Sequence, residues 1–136
     1  MAALSETSES LDVHTLDDVV RARQLARRWA GELGFSVVKT TKLVTAASEL
    51  ARNLVEYGGG GTMAVELAAA GPKRGLRAVF RDHGPGIPDI EMAMKDHYTT
   101  GTGLGLGLGG ARRLVDEFEL VSLQGEGVSV TIAMWV

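Results

Sequence analysis

Apolar side chains recur every three or four positions over two long stretches of this chain, and the pattern changes to period two further on. Val19, Ala22, Leu25, Ala26, Trp29, Ala30 and Leu33 form one helical stripe, with Arg21, Arg23, Arg27 and Arg28 largely outside it. Asp17 and Asp18 are candidate N-caps for this helix, and Gly34 suits its C-terminal end. A second helix is predicted over residues 37–57, with Leu43, Ala47, Leu50 and Leu54 inward and the glycines at 58–61 ending it. Residues 62–69 and 76–80 read as strands joined by a Gly71-Pro72 turn, and residues 11–16 as a short strand. A short helical piece near 88–94 and a third long helix over about 104–118 follow, the latter with Leu114, Val115 and Phe118 inward. Residues 118–123 and 128–136 make a closing strand pair around Gly125 and Gly127. This order predicts an α/β fold, a two-layer sandwich of one sheet with long helices on one face.

At 136 residues the chain is read as one domain over 11–136, preceded by a small, polar tail (1–10) expected to be disordered. A net charge of −3 and 5% aromatics give no basis for binding nucleic acid or an anionic membrane. No apolar run reaches spanning length and no signal pattern opens the chain, so the expected location is the cytoplasm. With no cysteine, thiolate metal sites and thiol nucleophiles are excluded. The unusual count is 18 glycines, about twice average usage, and they crowd between Gly101 and Gly110.

Three segments carry candidate chemistry. Glu49 and Asn53 lie four residues apart, hence on one helix face beside the apolar stripe. An Asn carbonyl oxygen suits Mg²⁺ as one ligand among phosphates and waters, and Glu49 one turn away can accept a proton from an attacking hydroxyl. Such pairs also occur as ordinary surface polarity. Asp82 ends a strand and precedes Gly84-Pro85-Gly86. A carboxylate there can accept from the exocyclic amine of adenine, with Gly86 letting backbone approach the ring, although an Asx-type turn explains the tetrapeptide equally. The segment from Gly101 to Gly110 is the strongest signal: main-chain N–H groups without neighbouring Cβ atoms converge on anions, and the following helix presents its positive end. It is not a Walker loop, since no Gly-Lys-Ser/Thr follows. Gly105, Gly107 and Gly110 match a dinucleotide fingerprint only formally, since no convincing strand precedes them. Asp82-His83-Gly84 mimics a kinase Asp-Phe-Gly without the catalytic loop that goes with it. His14, His83 and His97 are dispersed.

In this order the three segments resemble the Bergerat-fold ATPases, which include gyrase, histidine kinases and MutL. Asn53 matches the N-box, Asp82-x-Gly84-x-Gly86 the first glycine box, and Gly103-Leu104-Gly105-Leu106-Gly107 the second. Further matches at residues 22–26, Ser48-Glu49-Leu50-Ala51-Arg52-Asn53, the stretch 82–90 and Arg113-Leu114-Val115-Asp116-Glu117-Phe118 make the chain similar to the RsbT-type switch kinases of the stressosome. The resemblance covers nearly everything from about Leu11. It implies the Bergerat fold with a mixed sheet, ATP and Mg²⁺ as cofactors, and transfer of phosphate to serine or threonine on a STAS-domain scaffold or antagonist. It also implies activation of a PP2C-type phosphatase on release, and membership of a large stressosome assembly.

Carried over by position, Glu49 is the general base, Asn53 the Mg²⁺ ligand and Asp82 the adenine acceptor. Gly84, Gly86 and Ile87 lie around the ring, and Thr100, Gly101, Thr102, Gly103, Leu104, Gly105, Leu106 and Gly107 around the phosphates. Gly127-Val128-Ser129 stands where gyrase-like members carry Gly-Thr-Thr, leaving Ser129 as a second adenine contact. Residues 95–103 are the lid candidate, and Arg52 reads as half of a helix-surface ion pair. Two other readings remain: a nucleotide-gated anti-sigma factor that sequesters a sigma factor, and a detached histidine-kinase catalytic domain. Residues 1–10 are too short for a phosphoacceptor helix pair, so autophosphorylation in cis is not expected.

Overall fold

The computed structural model describes residues 7–82, 84, 107–123 and 127–136. In order they form β1 (Ser8–Val13), α1 (Leu16–Leu33), α2 (Val37–Glu56), β2 (Gly61–Ala70), β3 (Lys73–Asp82), α3 (Gly107–Leu114), β4 (Glu117–Leu123) and β5 (Gly127–Trp135). One five-stranded sheet has the order β1-β2-β3-β5-β4. All four pairings are antiparallel, which corrects the mixed sheet implied by the resemblance. The β5 strand enters between β3 and β4 running against both, so no parallel pair occurs among the described strands.

Strand alternation decides what faces the helices. Val13, Met63, Val65, Leu76, Ala78, Phe80, Val130, Ile132 and Met134 are buried at alternate positions, while Thr62, Ala64 and Glu66 on the other side are exposed. The helical layer answers with Val19, Ala22, Ala26, Trp29, Ala30 and Leu33 of α1, and Leu43, Ala46, Ala47, Leu50, Ala51 and Leu54 of α2. α1 and α2 pack together, and the short α3 packs on α2 through Leu108 and Ala111. Both long helices follow the apolar period of the sequence. Among the described residues no helix is long and apolar enough to cross a membrane.

Three boundaries differ from the sequence reading. Helix α1 is capped by Thr15, not by Asp17 or Asp18: Asp18 N–H donates to Thr15 Oγ1 at 3.2 Å, and the Asp18 carboxylate accepts from the N–H groups of His14 and Thr15. This reciprocal capping box makes Leu16 helical rather than a strand end. The first strand reaches back to Ser8, pairing Ser8, Glu9 and Ser10 with Glu66, Val65 and Ala64, in place of the disordered tail that polarity suggests; residues 1–6 lie outside the described residues. The third helix stops at Leu114, and Phe118 sits on β4 opposite Ile132. Asp116 makes the break: its N–H donates to Ala133 O, and its carboxylate accepts Trp135 N–H at 2.8 Å. The expected helical piece near 88–94 and the start of the third helix at 104–106 lie outside the described residues.

Glu9 fastens the edge strand to the helical layer. It accepts from Arg28 Nη2 at 2.6 Å and from the indole N–H of fully buried Trp29 at 2.8 Å. The Arg28 hydrogen bond, aided by Trp29 and opposed by partial burial, holds the Glu9 carboxyl below the ordinary glutamate range. A depressed folded pKa means this stabilisation is present above the unfolded value and is lost as pH falls through the folded one. Glu9→Ala is expected to cost about 1–3 kcal/mol in urea unfolding at pH 7, because the indole N–H loses its buried acceptor. Glu9→Gln should unfold with a shallower acid dependence than the parent; superimposable acid profiles would remove Glu9 from this role.

Candidate functional site

Asp82 is the last residue of β3, in phase with Leu76, Ala78 and Phe80, so its side chain points to the helical layer. It is the buried charged residue among those described, at 8% exposure. One carboxylate oxygen, Oδ1, is held by two main-chain donors: Gly84 N–H at 2.9 Å and Val128 N–H at 3.1 Å. The first closes the Asx-type turn expected of this sequence. The second comes from the start of β5, 46 positions away. Together they supply in the interior the hydrogen bonds that water would give a carboxylate. No hydrogen bond to Oδ2 is formed among the described residues.

The helix carrying Glu49 and Asn53 ends against this carboxylate. Asn53 O accepts the N–H groups of Tyr57 at 3.0 Å and Gly58 at 3.2 Å, closing the last turn of α2. Gly58 then lies directly on the Asp82 side chain. Glu49 and Asn53 are half-buried, one turn apart, outside the run of fully buried α2 residues. α3 packs on the same helix, so the chain leaving the glycine segment at Gly107 arrives beside α2. The structure therefore brings the C-terminal end of α2, through Asn53 and Gly58, against Asp82 and Gly84, while Glu49 lies one turn earlier on the same helix. Gly86, Ile87, Thr100, Gly101, Thr102, Gly103, Leu104, Gly105 and Leu106, and the lid candidate at 95–103, lie outside the described residues.

Ser129 does not join this group. It pairs with Arg81 and Val121, in the phase of β5 opposite to buried Val130 and Ile132, and so lies on the sheet face away from the helices. The residue that meets Asp82 is Val128, through its N–H. A hydroxyl at 129 suggests the wrong position because one residue along a strand reverses the face. Arg52 also departs from its reading: it forms no ion pair among the described residues, and its Nε is buried without a hydrogen-bond partner. On the far side of the 58–61 turn, a hollow of about 330 Å³ is lined by His14, the turn glycines, Thr62 and Arg81. Thr62 and Arg81 belong to the exposed sheet face, and Asp82 does not line this hollow, although Gly58 borders both.

An antiparallel sheet carrying a buried carboxylate at a strand end, a helix with an Asn and a Glu one turn apart, and a glycine-rich approach to the next helix is the layout of a nucleotide-binding ATPase domain. Residues 13–134 match the histidine kinase-like ATPase domain. The chain is 48% identical over 119 residues to the serine/threonine-protein kinase RsbT of Bacillus subtilis (strain 168), covering 88% of this chain and 90% of that protein. The structure of the RsbU and RsbW domains of a Mycobacterium tuberculosis protein superposes with a TM-score of 0.65 at 25% identity, covering 95% of this chain and 32% of that one. This chain thus spans about a third of that structure's length. A mycobacterial sensor histidine kinase, MprB, shares the fold at 19% identity, with a TM-score of 0.55 over 93% of this chain and 96% of its own.

The chain belongs to the histidine kinase-like ATPase domain family. Within it, the chain is a member of the RsbT-type serine/threonine protein kinases, and membership carries the use of ATP.

Gly127 opens β5 with φ 102°, and a Cβ there would press on the carbonyl oxygen and carboxylate of Asp82. Gly127→Ala is expected to lower stability by about 1–3 kcal/mol in urea unfolding. A variant as stable as the parent would show that Val128 N–H is not held in place by this approach.

Proposed function

We propose that this chain transfers the γ-phosphoryl group of Mg²⁺-bound ATP to a serine or threonine hydroxyl on a STAS-domain partner in a cytoplasmic partner-switching module. In this reading it works within a stressosome-type assembly and, once released, activates a PP2C-type phosphatase. The observation that carries the nucleotide-binding part is Asp82, buried with one oxygen held by main-chain donors and the other without a hydrogen bond among the described residues. Likeness to the RsbT kinase, and to a structure that joins RsbU and RsbW domains, supports the partner classes.

Each residue has one task. Asp82 Oδ2 accepts from the 6-amino group of adenine, a donor that guanine lacks at that position. Gly86 and Ile87 lie against the ring. Val128 supplies an apolar wall beside Asp82 and commits its N–H to the carboxylate. The residues from Thr100 to Gly107 surround the triphosphate with main-chain N–H groups, and the N-terminal end of α3 adds its positive dipole. Asn53 offers one amide oxygen to the cation. Among the described residues no three Asp, Glu or His side chains gather as a metal cage; an ion that arrives with the nucleotide, its shell filled by phosphates and waters, fits a single amide. When bound, Mg²⁺ neutralises charge on the phosphates during transfer. Glu49, one turn before Asn53, accepts the proton of the attacking hydroxyl. The partner protein brings that hydroxyl, so a small domain need only position the two reactants.

The test is transfer of labelled phosphate from ATP to a STAS-domain protein, with phosphoserine or phosphothreonine identified in the product. Glu49→Ala is expected to slow transfer by about 10²–10⁴-fold while leaving ATP affinity near the parent value. Asp82→Asn is expected to weaken ATP binding itself. Unchanged transfer in Glu49→Ala would remove Glu49 as the base. A stable sigma-factor complex without transfer would favour a sequestering protein.

A further inference from the structure

The four glycines at 58–61 end helix α2, but ending a helix needs only one of them. Gly58 has a second constraint. A Cβ placed on it would lie 2.6 Å from each of Cβ, Cγ and Oδ2 of Asp82, closer than real Cβ contacts come. The Asp82 side chain is anchored at one oxygen, since Oδ1 is held by Gly84 N–H and Val128 N–H, so any retreat that keeps these bonds has to move Oδ2. The backbone below is fixed as well, since Asp82 pairs with Gly61 and a Cβ on Gly61 would press into Arg81 O. Gly58 N–H is bonded to Asn53 O, which ties the same residue to the end of α2. Its neighbour Gly59 has φ 72°, and a Cβ there would meet nothing within 4 Å.

We propose that Gly58 is a positioning residue for nucleotide recognition: its missing side chain leaves the space in which Asp82 Oδ2 is aimed at the purine. The inference rests on the reading of Asp82 as the adenine acceptor and adds what sets that acceptor's direction. A side chain at 58 turns Oδ2 aside while Oδ1 stays bonded, so the 6-amino group loses its partner. The triphosphate contacts proposed for residues 100–107 do not involve Asp82 and are left in place. Gly58 therefore controls the preference for an amino-bearing purine over one without the amine, rather than nucleotide affinity in general.

Calorimetry with ATP and with purine riboside 5′-triphosphate, both with Mg²⁺, reads this directly. The parent is expected to prefer ATP by about tenfold or more, the worth of one hydrogen bond to a charged acceptor. In Gly58→Ala the ratio should fall toward one through weaker ATP binding, with the riboside triphosphate little changed. Gly59→Ala, which strains the same turn without touching Asp82, should keep the parent ratio. A parent ratio retained in Gly58→Ala, or a ratio lost equally in Gly59→Ala, overturns the proposal. A parent that binds neither compound, or both equally, refutes instead the underlying reading of Asp82. If Gly58→Ala does not fold, the double variant with Asp82→Gly should regain cooperative urea unfolding, because the colliding side chain is gone. A double variant that stays unfolded also overturns the proposal.

Discussion

A carboxylate buried at the end of a strand has to be solvated by the protein, since losing water without replacement costs several kcal/mol. Asp82 meets that requirement with main chain alone: Gly84 N–H from the turn that follows it and Val128 N–H from the neighbouring strand. Both donors are positioned by other parts of the fold. The first needs the chain to turn immediately after β3, and the second needs β5 to begin beside β3 and run against it. Helix α2 must also end without a side chain where it reaches the carboxylate. The order of the strands, the length of α2 and the glycines at 58 and 127 all meet at this one group.

Under the proposed function, that arrangement is what makes a nucleotide site of a two-layer sandwich. The sheet and the Ala-rich inner faces of α1 and α2 form a tightly closed core, in which Trp29 is fully buried and bonded to Glu9. Such a core gives rigid elements, and rigid elements hold functional groups more precisely than loops do. Asp82 sits on a strand and Glu49 and Asn53 on a helix, whereas the glycine segment precedes α3, which packs against α2. In the proposed reading, purine recognition is set in advance by the fold at Asp82, and the triphosphate falls to the glycine segment. Phosphoryl transfer, which depends on placing groups and balancing charge, suits that division.

The helices are readable because their apolar stripes follow the helical period over many residues, and the family because the order of the aspartate and glycine segments is distinctive. What cannot be read depends on long-range pairing. Phe118 fits the inner face of a helix and the inner face of a strand equally well, and only the bonds of Asp116 to β5 decide between them. Thr15 and Asp18 are both good cap residues, and their reciprocal bonding assigns Thr15 as the cap. Ser129 draws notice for its hydroxyl, yet the register of β5 against β3 turns it away and brings Val128 N–H to Asp82. The buried Nε of Arg52 has no signature in the sequence, since that arginine lies on a helix rich in exposed polar positions. Gly58 reads as a helix stop for the same reason: its contact with Asp82 joins positions far apart in the chain.

The central claim concerns a single atom, Oδ2 of Asp82. A crystal structure of the chain with Mg²⁺ and a non-hydrolysable ATP analogue tests it most directly. The account predicts the adenine 6-amino nitrogen about 3 Å from Oδ2, with Oδ1 still held by Gly84 and Val128. Adenine bound elsewhere, or an Asp82 carboxylate turned from the ring, would contradict it.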